Sequence, residues 1–140
     1  MREVLGVILD EEAVCPDRAH EADAGADLFS TEDKWIWPWS SAVFDTGVHI
    51  AIPKEYVGEI EPKSGLNVKH NLVGWGTIDS GYTGSIRVKL YNLGWKPYKI
   101  HKWDKVAQLV IHPVLLCGFS QVETLDETER GDGGFGSTGK

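Results

Sequence analysis

The chain has 140 residues, enough for one domain built around a single core. Its balance of 41% hydrophobic and 25% charged residues is that of an ordinary globular protein. A formal net charge of −7 excludes a protein that coats nucleic acid, which would be basic, while leaving room for a small anion held by a few converging cations.

The opening "MREVLGVILDEE" holds an apolar run of six residues, broken by glycine and closed by three acids. That length predicts a strand rather than a signal peptide or membrane span. Cys15 and Cys117 are too few for a disulfide scaffold, which points to a reducing, cytoplasmic setting. In "EADAGADLFS", Asp23 and Asp27 flank small residues, as needed where backbone packs closely or a hydrated metal approaches. Leu28 and Phe29 anchor Asp27 facing inward. "WIWPW" places Trp35, Trp37 and Trp39 on one face of a strand, for packing in the core or between subunits, or as a ligand platform.

"VFDTGVHIAIP", "YVGEIEP" and "VAQLVIHPVLL" are short β-rich runs bounded by Gly or Pro. "KSGLNVKH" is the one helical turn, with Ser64 expected to cap it. At that junction Lys63, Ser64 and Gly65 form either a phosphate cradle or an ordinary turn. "GTIDSGYTG" carries Asp79 and Tyr82 three residues apart between glycines. Asp79 there either deprotonates a water or closes the turn. In "SIRVKLYN", Ile86, Val88 and Leu90 share one face, with Arg87, Lys89 and Tyr91 on the other. Gln108 in the last run is an amide that either satisfies backbone groups or reaches a ligand.

Sixteen glycines and six prolines punctuate these runs at the spacing of a sandwich or barrel, so the expected fold class is all-β. The body, residues 1–122, gives way to an acidic and then glycine-rich arm, residues 123–140. The arm ends in "RGDGGFGSTGK". Its glycines bring backbone N–H groups near phosphate oxygens, Arg130 offers a planar fork, Ser137 and Thr138 donate, and Phe135 offers a flat face for a base. A solvated tail is the plainer alternative.

The order "AGADL … PKSG … GTIDSGYTG … VAQLV … RGDGGFGSTG" resembles the five motifs of the trimeric dUTPases, from Ala22 to Gly139. The resemblance implies a jelly-roll-like β domain, a homotrimer with shared sites, and Mg²⁺-assisted hydrolysis of dUTP to dUMP and pyrophosphate. It implies that Asp79 is the base, that Tyr82 stacks on the deoxyribose, and that Thr77 and Ile78 read uracil through backbone. Lys63, Ser64, Gly65, Arg87 and Gln108 would bind substrate, and Asp27 would touch the metal through water. Phe135, Gly136, Arg130, Ser137 and Thr138 would close over the nucleotide. No nucleic acid or membrane partner is implied. A regulatory protein partner is the rival from another class, with residues 35–39 as its surface, and a dCTP deaminase is the enzymatic rival.

Four features depart from the family pattern. Lys63 replaces a usual arginine. Trp103 replaces a turn glycine, so that loop is expected to be rebuilt. The hairpin between Leu66 and Thr77 is short, leaving Asn71 or Trp75 as helpers in base reading. "WIWPW" has no family role.

Overall fold

The computed structural model describes residues 3–139. As the alternation predicts, the fold is all-β apart from one short helix. In chain order the elements are β1 (Val7–Leu9), β2 (Gly25–Phe29), β3 (Lys34–Ile36), β4 (Ser41–Asp45), β5 (Val48–Ile50) and β6 (Tyr56–Glu61). They continue with α1 (Ser64–His70), β7 (Leu72–Val73), β8 (Gly76–Ile78), β9 (Arg87–Asn92), β10 (Tyr98–Ile100) and β11 (Lys105–Pro113). Residues 114–139 carry neither helix nor strand.

The largest sheet has the order β2-β11-β6-β8, a second has β4-β9-β7, and β1-β5 and β10-β3 form two-stranded ribbons. All their pairings are antiparallel. Leu28, Ile60, Ile78, Val106 and Leu109 from the first sheet meet Phe44, Leu72, Val88 and Leu90 from the second in one buried cluster. Strand β9 shows why the pattern works. Val88, Leu90 and Asn92 are buried, while Arg87, Lys89 and Tyr91 face water.

Asn92 is the polar exception in that inward phase. Its amide donates to the carbonyls of Ile36 (3.0 Å) and Lys96 (2.8 Å), and its oxygen accepts from Gly94 N–H (2.9 Å). One buried side chain thereby ties the β9–β10 turn to β3, which satisfies the rule that buried polar groups must be bonded. The Asn92 carbonyl also accepts from Trp39 N–H at 2.8 Å, which brings in the tryptophans. Trp35 and Trp37 stack with ring centroids 5.6 Å apart, and Trp39 meets Trp95 edge-on at 5.3 Å. All four are exposed, so within this chain the segment does not serve the core.

Two expectations need correction. Ser64 is the first helical residue, not the cap. Lys63 holds the N-cap position with extended backbone, and no side chain bonds the free N–H groups there. The residue that ends the helix is Asn71, in the left-handed region at φ 56° with its N–H bonded to Asn67.

Nor does Trp103 force its loop to be rebuilt. It takes φ 70° itself. Its N–H donates to Ser30, its indole donates to the Glu12 carbonyl at 3.0 Å, and Lys102 lies over its ring at 4.8 Å while pairing with Glu12. These contacts offset a backbone cost of about 1–2 kcal/mol. Trp103→Gly should therefore be more stable than Trp103→Ala by about 1 kcal/mol, the reverse of the usual order, because alanine loses the indole and keeps the strain. Urea unfolding of the two variants measures this.

Candidate active site

Strand β8 delivers the first group of residues. It pairs with β6 so that Thr77 lies opposite Glu59 and Ile78 opposite Gly58. Gly74, just before it, lies so close to β9 that an added Cβ would stand 2.2 Å from the Lys89 carbonyl oxygen. Past Ile78 the chain turns out of the sheet, leaving Asp79 exposed at the rim. The turn is closed by Tyr82 N–H donating to the Asp79 backbone carbonyl (3.0 Å). The backbone thus makes the turn, and the carboxylate is not spent on it. The Tyr82 hydroxyl donates to the Ser85 carbonyl at 2.8 Å, with the phenol lying over Gly84, where a Cβ would stand 2.5 Å from its oxygen. A small cleft of about 190 Å³ is lined by Thr77, Ile78, Asp79, Tyr82 and Arg87.

The second group forms where β2 and β11 pair, Asp27 opposite Gln108. Asp27 is buried and bonds Lys63 Nζ at 2.5 Å and Lys105 Nζ at 2.9 Å. Burial pushes its carboxyl up, but the bonds and charges of the two lysines outweigh burial and hold its pKa below the usual carboxylate value. The hydrogen bond to Asp27 in turn raises Lys105. Gln108 lies across Gly25, where a Cβ would meet its Oε1 at 2.2 Å, and donates to the Pro62 carbonyl at 3.0 Å. Of the two roles open to Gln108, the structure shows the backbone tie, which fixes the segment entering Lys63. Asp27, Lys63, Gln108 and Asp23 line a cleft of about 260 Å³.

The third group is the arm. Arg130 Nε donates to the Gly133 carbonyl (2.8 Å), Gly133 N–H donates back to Arg130, and Ser137 N–H donates to Gly134. Phe135, at φ 50°, is fully exposed. Residues from Glu129 to Thr138 enclose a hollow of their own, and none of them lines the other two clefts. The predicted residues therefore fall into three separate groups on one chain. Asn71, by contrast, caps a helix and accepts from Leu93 N–H, and Trp75 is exposed in the turn before β8.

The family model described as dUTPase matches residues 11–139. This chain belongs to the dUTPase family. It is 44% identical over 134 residues to a deoxyuridine 5'-triphosphate nucleotidohydrolase of Clostridium acetobutylicum, covering 94% of this chain and 92% of the relative. Identity to the Corynebacterium glutamicum enzyme of the same name is 48% over 138 residues, covering 96% and 93%. Among solved structures, a Staphylococcus bacteriophage 80alpha dUTPase variant with dUpNHpp superposes with a TM-score of 0.90 at 34% identity, covering 99% of this chain and 100% of that one. A dUTPase from phage phi11 of S. aureus, described with a coordinated structural Mg(II) ion, superposes at 0.82 with 33% identity, covering 87% and 98%. The fold of the chain is thus that of dUTPases over nearly its full length.

Proposed function

We propose that this dUTPase-family enzyme hydrolyses dUTP to dUMP and pyrophosphate, and so limits uracil incorporation into DNA while supplying dUMP for dTMP synthesis. The observation that carries the reading is the cleft at the end of β8, where an exposed carboxylate not needed for its own turn stands beside a fixed phenol ring. In this mechanism the Asp79 carboxylate takes a proton from water as the water oxygen attacks the α-phosphorus in line. The bond from that phosphorus to the α,β-bridging oxygen breaks, and pyrophosphate leaves with the electron pair. Tyr82 packs on the deoxyribose and leaves no space for a 2′-hydroxyl. Backbone groups at Thr77 and Ile78 read the uracil edge, and Arg87 lines the same cleft.

Lys63, Ser64 and Gly65 hold phosphates. Gln108 contributes by fixing Pro62, and Lys63 exchanges Asp27 for phosphate when substrate enters. Asp27 fits an outer-sphere contact to hydrated Mg²⁺: its carboxyl is held ionised, while among the described residues no three His, Cys, Asp or Glu side chains converge into a protein cage. The ion, when bound, would offset the negative charge of the triphosphate. Phe135 then covers the base, with Gly136 as its hinge and Arg130, Ser137 and Thr138 turned to the γ-phosphate.

The separation of the three groups supports a homotrimer in which each site is completed by neighbouring chains. No helix among the described residues is long and apolar enough to cross a membrane, and we assign the enzyme to the cytoplasm. The exposed tryptophans Trp35, Trp37, Trp39 and Trp95 favour a second reading, a protein-binding surface that coexists with catalysis. The phage 80alpha dUTPase is described as controlling the transfer of virulence genes.

The test is pyrophosphate release from dUTP beside dTTP, dCTP and UTP. Strong selectivity for dUTP is expected. Ammonia from dCTP would replace this reading with deamination.

A further inference from the structure

The loop that carries Asp79 and Tyr82 is held from outside by a histidine to which the reaction assigns no part. His49 lies in β5, opposite Ile8 of β1. Its neighbours Val48 and Ile50 are buried, so the alternation of the strand turns His49 outward. Its Nδ1 lies 2.8 Å from the backbone carbonyl oxygen of Thr83, the residue after Tyr82. Its Nε2 lies 3.0 Å from Oδ1 of Asp10. Asp10 is itself fixed, its N–H donating to the Gly47 carbonyl at 2.9 Å and its carbonyl accepting from Ala13.

Both partners of the ring are pure acceptors. A neutral imidazole has one N–H and one lone pair, so it makes one of these bonds and turns a lone pair toward the other oxygen. Only the doubly protonated ring donates to both. We infer that protonated His49 is a positioning residue for the catalytic loop, clamping Thr83 to Asp10 and thereby setting Asp79 and Tyr82 for substrate. The inference rests on the assignment of those two residues to the dUTP site.

The surroundings favour the charged ring. The bond to Thr83, then that to Asp10, raises the His49 pKa above the ordinary 6.5, and the charge of Asp45 on β4 adds to this. Arg87 of β9 lies opposite Asp45 in the β4–β9 pairing, and its charge helps to hold Asp45 ionised. The groove beside the ring is otherwise lined by the uncharged Gly6, Val7, Ile8, Ile50 and Ala51, on and next to β1 and β5. Because the folded-state value is raised, the clamp is fully made below the ordinary histidine pKa. It is released as pH rises through the higher folded value.

The farther end of the loop has its own, pH-insensitive ties. The Ser85 hydroxyl bonds Asp45, and Ile86 exchanges backbone bonds with Thr46 and Val48. Release of His49 therefore unties Thr83 from Asp10. The bonds of Tyr82 to Asp79 and Ser85 keep the shape of the turn and the strand beyond stays in place, so the turn can shift as a unit. The loop must then be ordered by the nucleotide itself, which weakens binding.

The test follows the imidazole and the loop amides of the labelled full-length protein by NMR between about pH 6 and 9, the window in which histidine titrates. His49→Gln identifies the His49 signals. The His49 ring should titrate above the ordinary histidine value, with the amides of Tyr82 to Gly84 changing at the same midpoint, and Asp10→Asn should lower that midpoint. Affinity for dUpNHpp should fall about 2- to 10-fold across the step. In His49→Gln it should be low and flat with pH. In His49→Arg, a permanent planar cation, it should be restored and flat.

Loop amides indifferent to the His49 titration, or a His49→Gln variant with the wild-type pH profile, would overturn the clamp. Should the variants fail to fold, the wild-type amide titration still decides. Failure of the wild type to bind dUpNHpp at all would sink the dUTP assignment instead, while the nucleotide-free titration continues to test the clamp.

Discussion

Asp79→Asn is expected to bind dUpNHpp as the wild type does and to turn over dUTP about 10²–10⁴-fold more slowly, the usual contribution of a positioned general base. The substitution is close to isosteric; it removes the negative charge and with it the capacity to accept a proton. The turn is left intact, because its closing bond runs from Tyr82 N–H to the backbone carbonyl of residue 79. The side chain is exposed and the core cluster lies beneath it, so the melting temperature should not move. Single-turnover kinetics beside equilibrium binding separate the two effects. Undiminished turnover in this variant would remove Asp79 from the chemistry. Weakened binding with unchanged turnover of bound substrate would make it a substrate contact rather than a base.

Removal of residues 130–140 should lower kcat on the order of 10²-fold while leaving assembly and melting temperature unchanged. The structural basis is that the arm bonds to itself. Arg130 and Gly133 exchange hydrogen bonds, Gly131 N–H donates to the Thr128 hydroxyl, and Phe135 rests on nothing. Deleting such a segment costs the body no buried surface. What it removes includes Arg130, two hydroxyls and an aromatic face that, on the proposed reading, act only when wrapped on substrate. Steady-state kinetics with analytical ultracentrifugation measures both halves. Unchanged kcat would reduce the arm to a solvated tail.

Much of the fold was legible because burial imposes a period of two on a strand. The alternation of Ile86, Val88 and Leu90 against Arg87, Lys89 and Tyr91 needed no tertiary information, and the structure places each as read. Asn92 continues that phase and was passed over because it is polar. A polar residue in an inward position is itself a signal for a buried hub. Asp27 was legible as an inward carboxylate, but its two lysine partners were not, since Lys63 reaches it from the N-cap of α1 and Lys105 from β11. Ser64 misled because capping preference is local and weak beside the geometry of the incoming strand. Trp103 misled because a steric rule about one residue says nothing of the indole bond to Glu12, ninety-one positions away. His49 gave no sequence signal at all: its meaning depends on two acceptors, Thr83 and Asp10, brought to its two nitrogens by the fold.

The separation of the Asp79 cleft, the Lys63 cleft and the arm on one chain bears on how damage to the protein would be inherited by an assembly. If a working centre borrows from several copies, a copy spoiled at one cleft can still lend its intact parts to a neighbour. A mixture of copies defective at Asp79 and copies defective at Lys63 then contains some fully furnished centres, although neither kind has any by itself. Different lesions in such an assembly complement one another, whereas a single lesion carried by every copy leaves no complete centre.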